Sequence, residues 1–248
     1  MSLGPRDRPP GVRERRFEST DLLTQTLAAE IHQHLAAALR ERGTASLVVS
    51  GGSTPIPLFR RLREARLPWN EVTVTLADER WVDVAEDASN ERLVRGELLQ
   101  GPAAAARFVG LKNAAPTAQQ GAAAAWAQLA QIPRPFDVLV LGMGDDGHTA
   151  SLFPGSPGIL PALDPSASPM CVAMSAPVTP NPRLSLNLAA LVQSRRAYLH
   201  VVGERKWEVY RTAAQLASST PASATPASMP IAAMLRQRSP GLQVCWAP

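Results

Sequence analysis

The segment GMGDDGHTASLFPG at 142–155 sets one histidine, His148, directly after two aspartates and a glycine. Imidazole exchanges protons near neutrality, so a histidine in a polar cleft can take a proton from water and return it to a leaving group. A carboxylate beside it, Asp145 or Asp146, would raise the basicity of the ring or fix its tautomer. Taken singly, such a histidine is more often a cap or a surface residue. Gly142, Gly144 and Gly147 also satisfy GxGxxG, but the two aspartates would repel a pyrophosphate and the segment runs on into prolines instead of a second βαβ unit. The remaining histidines compete poorly: His32 and His34 fall in a helical stretch, and His200 falls inside a strand pattern, where core burial is the default. No three His, Cys or carboxylate ligands stand at a recognisable metal spacing, so no metal is expected.

Three further polar clusters each follow an apolar run. SGGSTP at 50–55 has two glycines that allow close backbone approach, Ser53 or Thr54 as a cap, and Pro55 suited to a first helical turn. Such a junction presents free N–H groups to an anion, typically phosphate; it is equally the composition of an ordinary tight turn. It lacks the GK[ST] element of a Walker loop. ADERW places Asp78, Glu79 and Arg80 together, where Arg80 has the planar fork that matches phosphate or carboxylate, although a surface ion network is the commoner fate of such triplets. Asp87 and Asn90 in DASN open the next helix, and capping alone would account for one of them. Arg183, in NPRLSLNL, and Lys206, in GERKW, add two cations; Lys206 is one of only two lysines in an arginine-rich chain.

The elements that must hold these clusters alternate along the chain. Apolar residues recur at helical spacing through Leu23, Leu27, Ile31, Leu35 and Leu39, with Gly43 as the stop. ASLVVS, VTVTLA, ARFVG, FDVLVLG and AYLHVVG read as strands, with helices expected over 89–99, 118–131 and from about Lys206. This rhythm predicts an α/β fold: a mostly parallel, Rossmann-like sheet covered by helices on both faces. Ligands of such sheets bind beyond the carboxyl ends of the strands, where all four clusters fall. Residues 1–16 combine Pro, Gly and like charge and are expected to be a flexible arm, leaving 17–248 as a single α/β domain. Proline-rich stretches at 154–169 and 176–182 read as loops, and 218–230 as an exposed low-complexity connector.

Composition narrows the function classes. With 248 residues, 45% hydrophobic and 19% charged, the chain can bury a sizeable core without a disulfide or metal staple, which excludes global disorder. No apolar run reaches the roughly twenty residues of a membrane span, and no apolar stretch follows the arginines of the N-terminus as a secretory signal requires. A cytoplasmic protein with two reduced thiols, Cys171 and Cys245, is expected. The net charge of +4 is small and scattered, so neither nucleic acid nor membrane is expected as a partner. A helix-terminus anion site, several cations and one neutral-range base on the same sheet edge point to an enzyme of small phosphorylated substrates.

These same residues carry a family resemblance. SGGSTP, ADERWV with DASN, GMGDDGHTASLFPG, PRLSL and the strand leading to Lys206 resemble the ordered motifs of the glucosamine-6-phosphate isomerase/6-phosphogluconolactonase family, from about Leu22 to the C-terminus. GDDGHTASLFPG matches its lactonase branch, whereas SGGSTP is shared with the deaminases. The resemblance implies hydrolysis of 6-phospho-D-glucono-1,5-lactone without metal or cofactor, and a monomer is expected. It makes His148 the general base, with Asp146 shaping its environment. It further gives Asp78 and Arg80 to substrate contact, and Gly51, Gly52, Ser53, Arg183 and Lys206 to the phosphate. Ser185 and Asn187 stand where the family often has threonines. Two competing readings are an amino-sugar-phosphate deaminase or isomerase, which needs a carboxylate base at carbon, and a sugar-phosphate sensor. A sensor would normally carry a helix-turn-helix, for which the residues before the first helix leave no room.

Overall fold

The computed structural model describes residues 9–176, 181–219, 221 and 225–248. The long amphipathic helix expected near the N-terminus spans Thr20–Arg42 (α1). Ser19 caps it by accepting from the Leu22 N–H, and Gly43, at φ +75°, ends it in the left-handed conformation that glycine adopts without strain. Its stripe of Leu23, Leu27, Ile31 and Leu35 is fully buried, each side chain contributing roughly 1.5–3 kcal/mol of transfer free energy.

Seven strands form one sheet: Val12–Arg16 (β1), Ala45–Val49 (β2), Val72–Leu76 (β3), Arg107–Val109 (β5), Phe136–Leu141 (β6), Ser194–Val202 (β9) and Leu242–Ala247 (β10). The order is β1-β10-β9-β6-β2-β3-β5, and every pairing is parallel. The central strands ASLVV and FDVLVL are buried along their whole length, as strands covered on both faces must be. The helices α2 (Ile56–Leu62), α3 (Asn90–Glu97), α4 (Ala118–Leu129) and α7 (Glu204–Ser219) follow the expected alternation. The short α5 (Ile159–Ala162), α6 (Leu188–Leu191) and α8 (Ile231–Leu235) fill the connections. The α/β, mostly parallel reading therefore holds. Strand order reverses between β2 and β6, whose ends are tied by the Ser50 N–H to the Val140 carbonyl at 3.0 Å, and this reversal opens the crevice in which such sheets hold ligands.

Several expectations change. Residues 12–16 are no arm: they pair along β10 from Val12 with Leu242 to Arg16 with Trp246, and Val12 joins the core. Arg15 pairs with Glu30 of α1 at 2.5 Å, and the Tyr210 hydroxyl of α7 donates to Glu14 at 2.9 Å. Residues 1–8 lie outside the described residues. The run VTVTLADER divides between two sheets, since Asp78–Arg80 (β4) leaves the main sheet to join Arg183–Leu186 (β8) and Cys171–Met174 (β7) in a small antiparallel one. The stretch expected as loop at 154–169 contains α5, and the loop at 176–182 is described only in part, 177–180 lying outside. Of the 218–230 connector, 220 and 222–224 lie outside; its end is packed, with Met229 against Gly147 and the Ile231 N–H donating to the Gly147 carbonyl at 2.9 Å.

Candidate active site

A cavity of about 370 Å³ opens at the strand-order reversal, a size that suits a small ligand. Its wall is made by the residues after β2, the loop after β6, the end of β9 with the first turns of α7, and the small sheet. The nine residues given a catalytic or binding role by the resemblance all line it: Gly51, Gly52, Ser53, Asp78, Arg80, Asp146, His148, Arg183 and Lys206.

The loop after β6 is wound tightly. Gly144 N–H donates to the His148 carbonyl at 2.9 Å, Gly147 N–H to the Gly144 carbonyl at 3.0 Å, and the Thr149 hydroxyl to the Gly142 carbonyl at 2.9 Å. Gly147 takes φ +77°, a conformation that would strain other residues, and Met229 leaves no space for a Cβ there. The winding turns Asp146 back on His148: one carboxylate oxygen accepts from the His148 backbone N–H at 3.0 Å and lies 2.5 Å from Nδ1. A carboxylate on Nδ1 keeps the proton there and leaves the Nε2 lone pair as the basic site. Burial by itself would raise the Asp146 carboxyl, but its hydrogen bonds from the His148 ring and backbone prevail and hold it below the usual carboxylate range. Phe153 packs against the other side of the imidazole, centroid to centroid 4.4 Å. Asp145 stands outside the cavity lining and pairs with Arg205 at 3.1 Å.

The small sheet supplies the opposite wall. Asp78 is buried and accepts from the Ser151 hydroxyl at 2.6 Å, so a residue three positions beyond His148 holds the carboxylate. Arg80 stands directly opposite Arg183 in the β4–β8 ladder. Burial first, and the Arg80 charge second, push the Arg183 guanidinium down from its ordinary value, partly offset by Asp78 and Glu79. Two like charges in opposed ladder positions repel, and an anion between them removes the repulsion. Arg80 donates to the Ala88 carbonyl at 2.6 Å, and its Nε is buried without a hydrogen-bond partner among the described residues.

Glu79, from the same DER triplet, belongs to the fold. Fully buried, it accepts from the backbone N–H groups of Arg80, Asn90 and Glu91 at 2.7 Å each and from the Ser89 hydroxyl at 3.1 Å, anchoring the start of α3. Burial raises its carboxyl above the usual range even so. Asp87 pairs with Arg92 on the surface, and Ser89 is the α3 cap.

Residues 50–55 differ from the expected capped turn. Pro55 occupies the cap position of α2 and neither Ser53 nor Thr54 caps it by a side-chain bond. Gly51 is required by Asn90, since a Cβ there would fall 1.9 Å from Asn90 Oδ1. Asn90, Ser151, Phe153 and His200 also line the cavity and were given no role there by sequence reasoning. Asn90 looked like a cap, and its side chain instead donates to the Asp78 carbonyl at 2.9 Å. Among the described residues no group of three His, Cys, Asp or Glu gathers as a metal site, and no helix is long and apolar enough to cross a membrane.

Comparison with known proteins gives a consistent picture. The model of the family described as glucosamine-6-phosphate isomerases/6-phosphogluconolactonase matches residues 18–246. A 6-phosphogluconolactonase of Rhizobium meliloti is 47% identical over 232 residues, 94% of this chain and 97% of the relative. Another, from Pseudomonas aeruginosa, is 45% identical over 206 residues, 83% of this chain and 87% of the relative. The crystal structure of a 6-phosphogluconolactonase from Shewanella baltica superposes with a TM-score of 0.88 at 47% identity, covering 96% of this chain and 98% of that one.

Proposed function

The chain belongs to the glucosamine-6-phosphate isomerase/6-phosphogluconolactonase family, and from that premise we propose that it hydrolyses 6-phospho-D-glucono-1,5-lactone to 6-phospho-D-gluconate. The observation that carries the reading is the Asp146–His148 pair, 2.5 Å apart, in a cavity that also holds Arg80, Arg183 and Lys206. A paired base and a cluster of cations are what a neutral-pH hydrolysis of a phosphorylated ester requires.

In this mechanism the phosphate rests against the Gly51, Gly52 and Ser53 backbone, Arg183 and Lys206, which sets the lactone carbonyl over His148. Nε2 takes a proton from a water molecule as the water oxygen bonds to the carbonyl carbon. The carbonyl electrons move to oxygen, and the imidazolium is stabilised by Asp146. Collapse of the tetrahedral intermediate breaks the bond to the ring oxygen, which receives the proton back from His148 Nε2. Asp78, held by Ser151, accepts from a sugar hydroxyl, and Arg80 donates to a substrate oxygen. No step requires a cofactor.

All of these residues come from one chain's cavity, so the proposed mechanism draws on a single protomer. Both cysteines are buried thiols, compatible with the reducing cytoplasm. The test is the disappearance of the lactone at neutral pH against its spontaneous hydrolysis, with and without EDTA. Clear acceleration unaffected by EDTA supports the proposal. A rate no greater than the spontaneous one overturns it and directs attention to Asp78 as a base at carbon on an amino-sugar phosphate.

A further inference from the structure

Buried polar atoms without partners are rare, and each calls for an explanation. Among the described residues Ser50 Oγ, Arg80 Nε and both ring nitrogens of His200 are buried without a hydrogen-bond partner, and all three residues line the same cavity. His200 is the most demanding, because a neutral imidazole has one donor and one acceptor to satisfy and is only 3% exposed.

The strand register explains where the ring sits. Leu141 of β6 pairs with Leu199 of β9, so the next residue, His200, comes level with Gly142 at the mouth of the crevice. Nothing lies within 4 Å of where a Cβ at Gly142 would be, so this position opens on the cavity and not on packed side chains. On the other side β10 offers Cys245, a small apolar thiol, as the ladder partner of His200. Burial first, and the charge of Lys206 second, push the imidazole pKa down to about 4 and keep the ring neutral. A neutral imidazole beside an ammonium can turn its lone pair to the cation and its N–H to an oxygen held by that cation.

Resting on the function proposed above, we propose that His200 is a further substrate-binding residue, donating an uncharged N–H to an oxygen of the phosphorylated sugar at the Lys206 side of the cavity. The protein supplies the imidazole no partner, and the cavity's occupant does. This assigns the phosphate end a neutral donor beside its cations.

The experiment is calorimetric titration of the intact protein with 6-phosphogluconate, the expected product, alongside lactone turnover and thermal unfolding, for the parent, His200→Leu and His200→Phe. His200→Phe keeps a planar ring and removes both nitrogens, so it serves if the leucine variant folds poorly. The expected result is about tenfold weaker binding in either variant, with an unfolding temperature equal to or above that of the parent, because removal of an unpartnered polar group does not weaken the fold. Unchanged affinity overturns the inference, as does weaker binding accompanied by a lowered unfolding temperature in both variants, which would assign the nitrogens to the fold through a bound water. Failure of the unaltered chain to bind the product overturns the function and the inference together. Binding without turnover overturns the function alone and leaves the His200 comparison in force.

Discussion

Gly144 and His148 are matched at atomic range: a Cβ on Gly144 would lie 2.1 Å from both Cε1 and Nδ1 of the His148 ring and 2.8 Å from Asp146 Oδ1. The absence of a side chain at one residue therefore sets the position of the imidazole at the other. The glycines of this loop, which satisfy a dinucleotide pattern in the sequence, serve instead to let an aspartate fold back on a histidine.

Gly144→Ala should displace the ring and break its bond to Asp146, lowering kcat by about 10²-fold, as an ångström-scale misplacement does, with KM nearly unchanged. Steady-state kinetics on the lactone test this. Wild-type kcat in that variant would show that the ring is free to move aside.

His148→Ala should lower kcat by roughly 10²–10⁴-fold, the range for loss of a general base. Asp146→Asn should retain the fold and still lose about 10²-fold or more, because an amide can hold the ring in the wrong tautomer. A kcat for His148→Ala close to that of the parent would falsify the role of the ring.

If Arg183 and Lys206 hold the phosphate as proposed, Arg183→Ala or Lys206→Ala should raise KM by roughly 10–100-fold through loss of a charge-assisted hydrogen bond, with a smaller effect on kcat. Arg183→Lys should recover little, since a point charge does not reproduce the planar fork beside Arg80. Unchanged KM in both alanine variants removes the two residues from the phosphate site.

Acid stability should show the buried imidazole. Burial, then the Lys206 charge, lowers His200 from 6.5 to about 4, so between these values the unfolded chain carries a proton that the folded chain does not. Its contribution to stability is complete above about pH 6.5 and is lost as pH falls toward 4, the unfolding equilibrium shifting by about tenfold per pH unit at most. Urea unfolding of the parent and His200→Gln from pH 7 to 4 measures the difference in slope. Parallel curves would mean that His200 titrates alike in both states.

The central layer was legible because strong periodicity and completely apolar runs leave few alternatives: ASLVV and FDVLVL cannot be exposed, and the stripe from Leu23 to Leu35 cannot be a strand. The nine cavity residues were found for a related reason, since glycine, carboxylate and cation clusters after strands fall where parallel sheets bind ligands. The edge was not legible. VRERR has the composition of a solvated tail, and charge is also what an edge strand carries to discourage further pairing. The small antiparallel sheet was hidden because strands of three or four residues are too short to show a period. His200 was assigned correctly to a strand, but whether its nitrogens meet a partner depends on neighbours from β6 and β10 that sequence order does not reveal.

The pairing of β1 with β10 also governs the order in which the chain can be completed. Val12 finds its partner only in Leu242, so when a ribosome delivers this chain the first strand emerges more than 200 residues before the strand it must join. Every other strand of the main sheet has a neighbour closer in sequence, and the cavity loop after β6 follows its own strand directly. The nascent protein can thus assemble its crevice while its first strand waits in solvent, and the arginines and glutamate of that strand keep it soluble until the last one arrives.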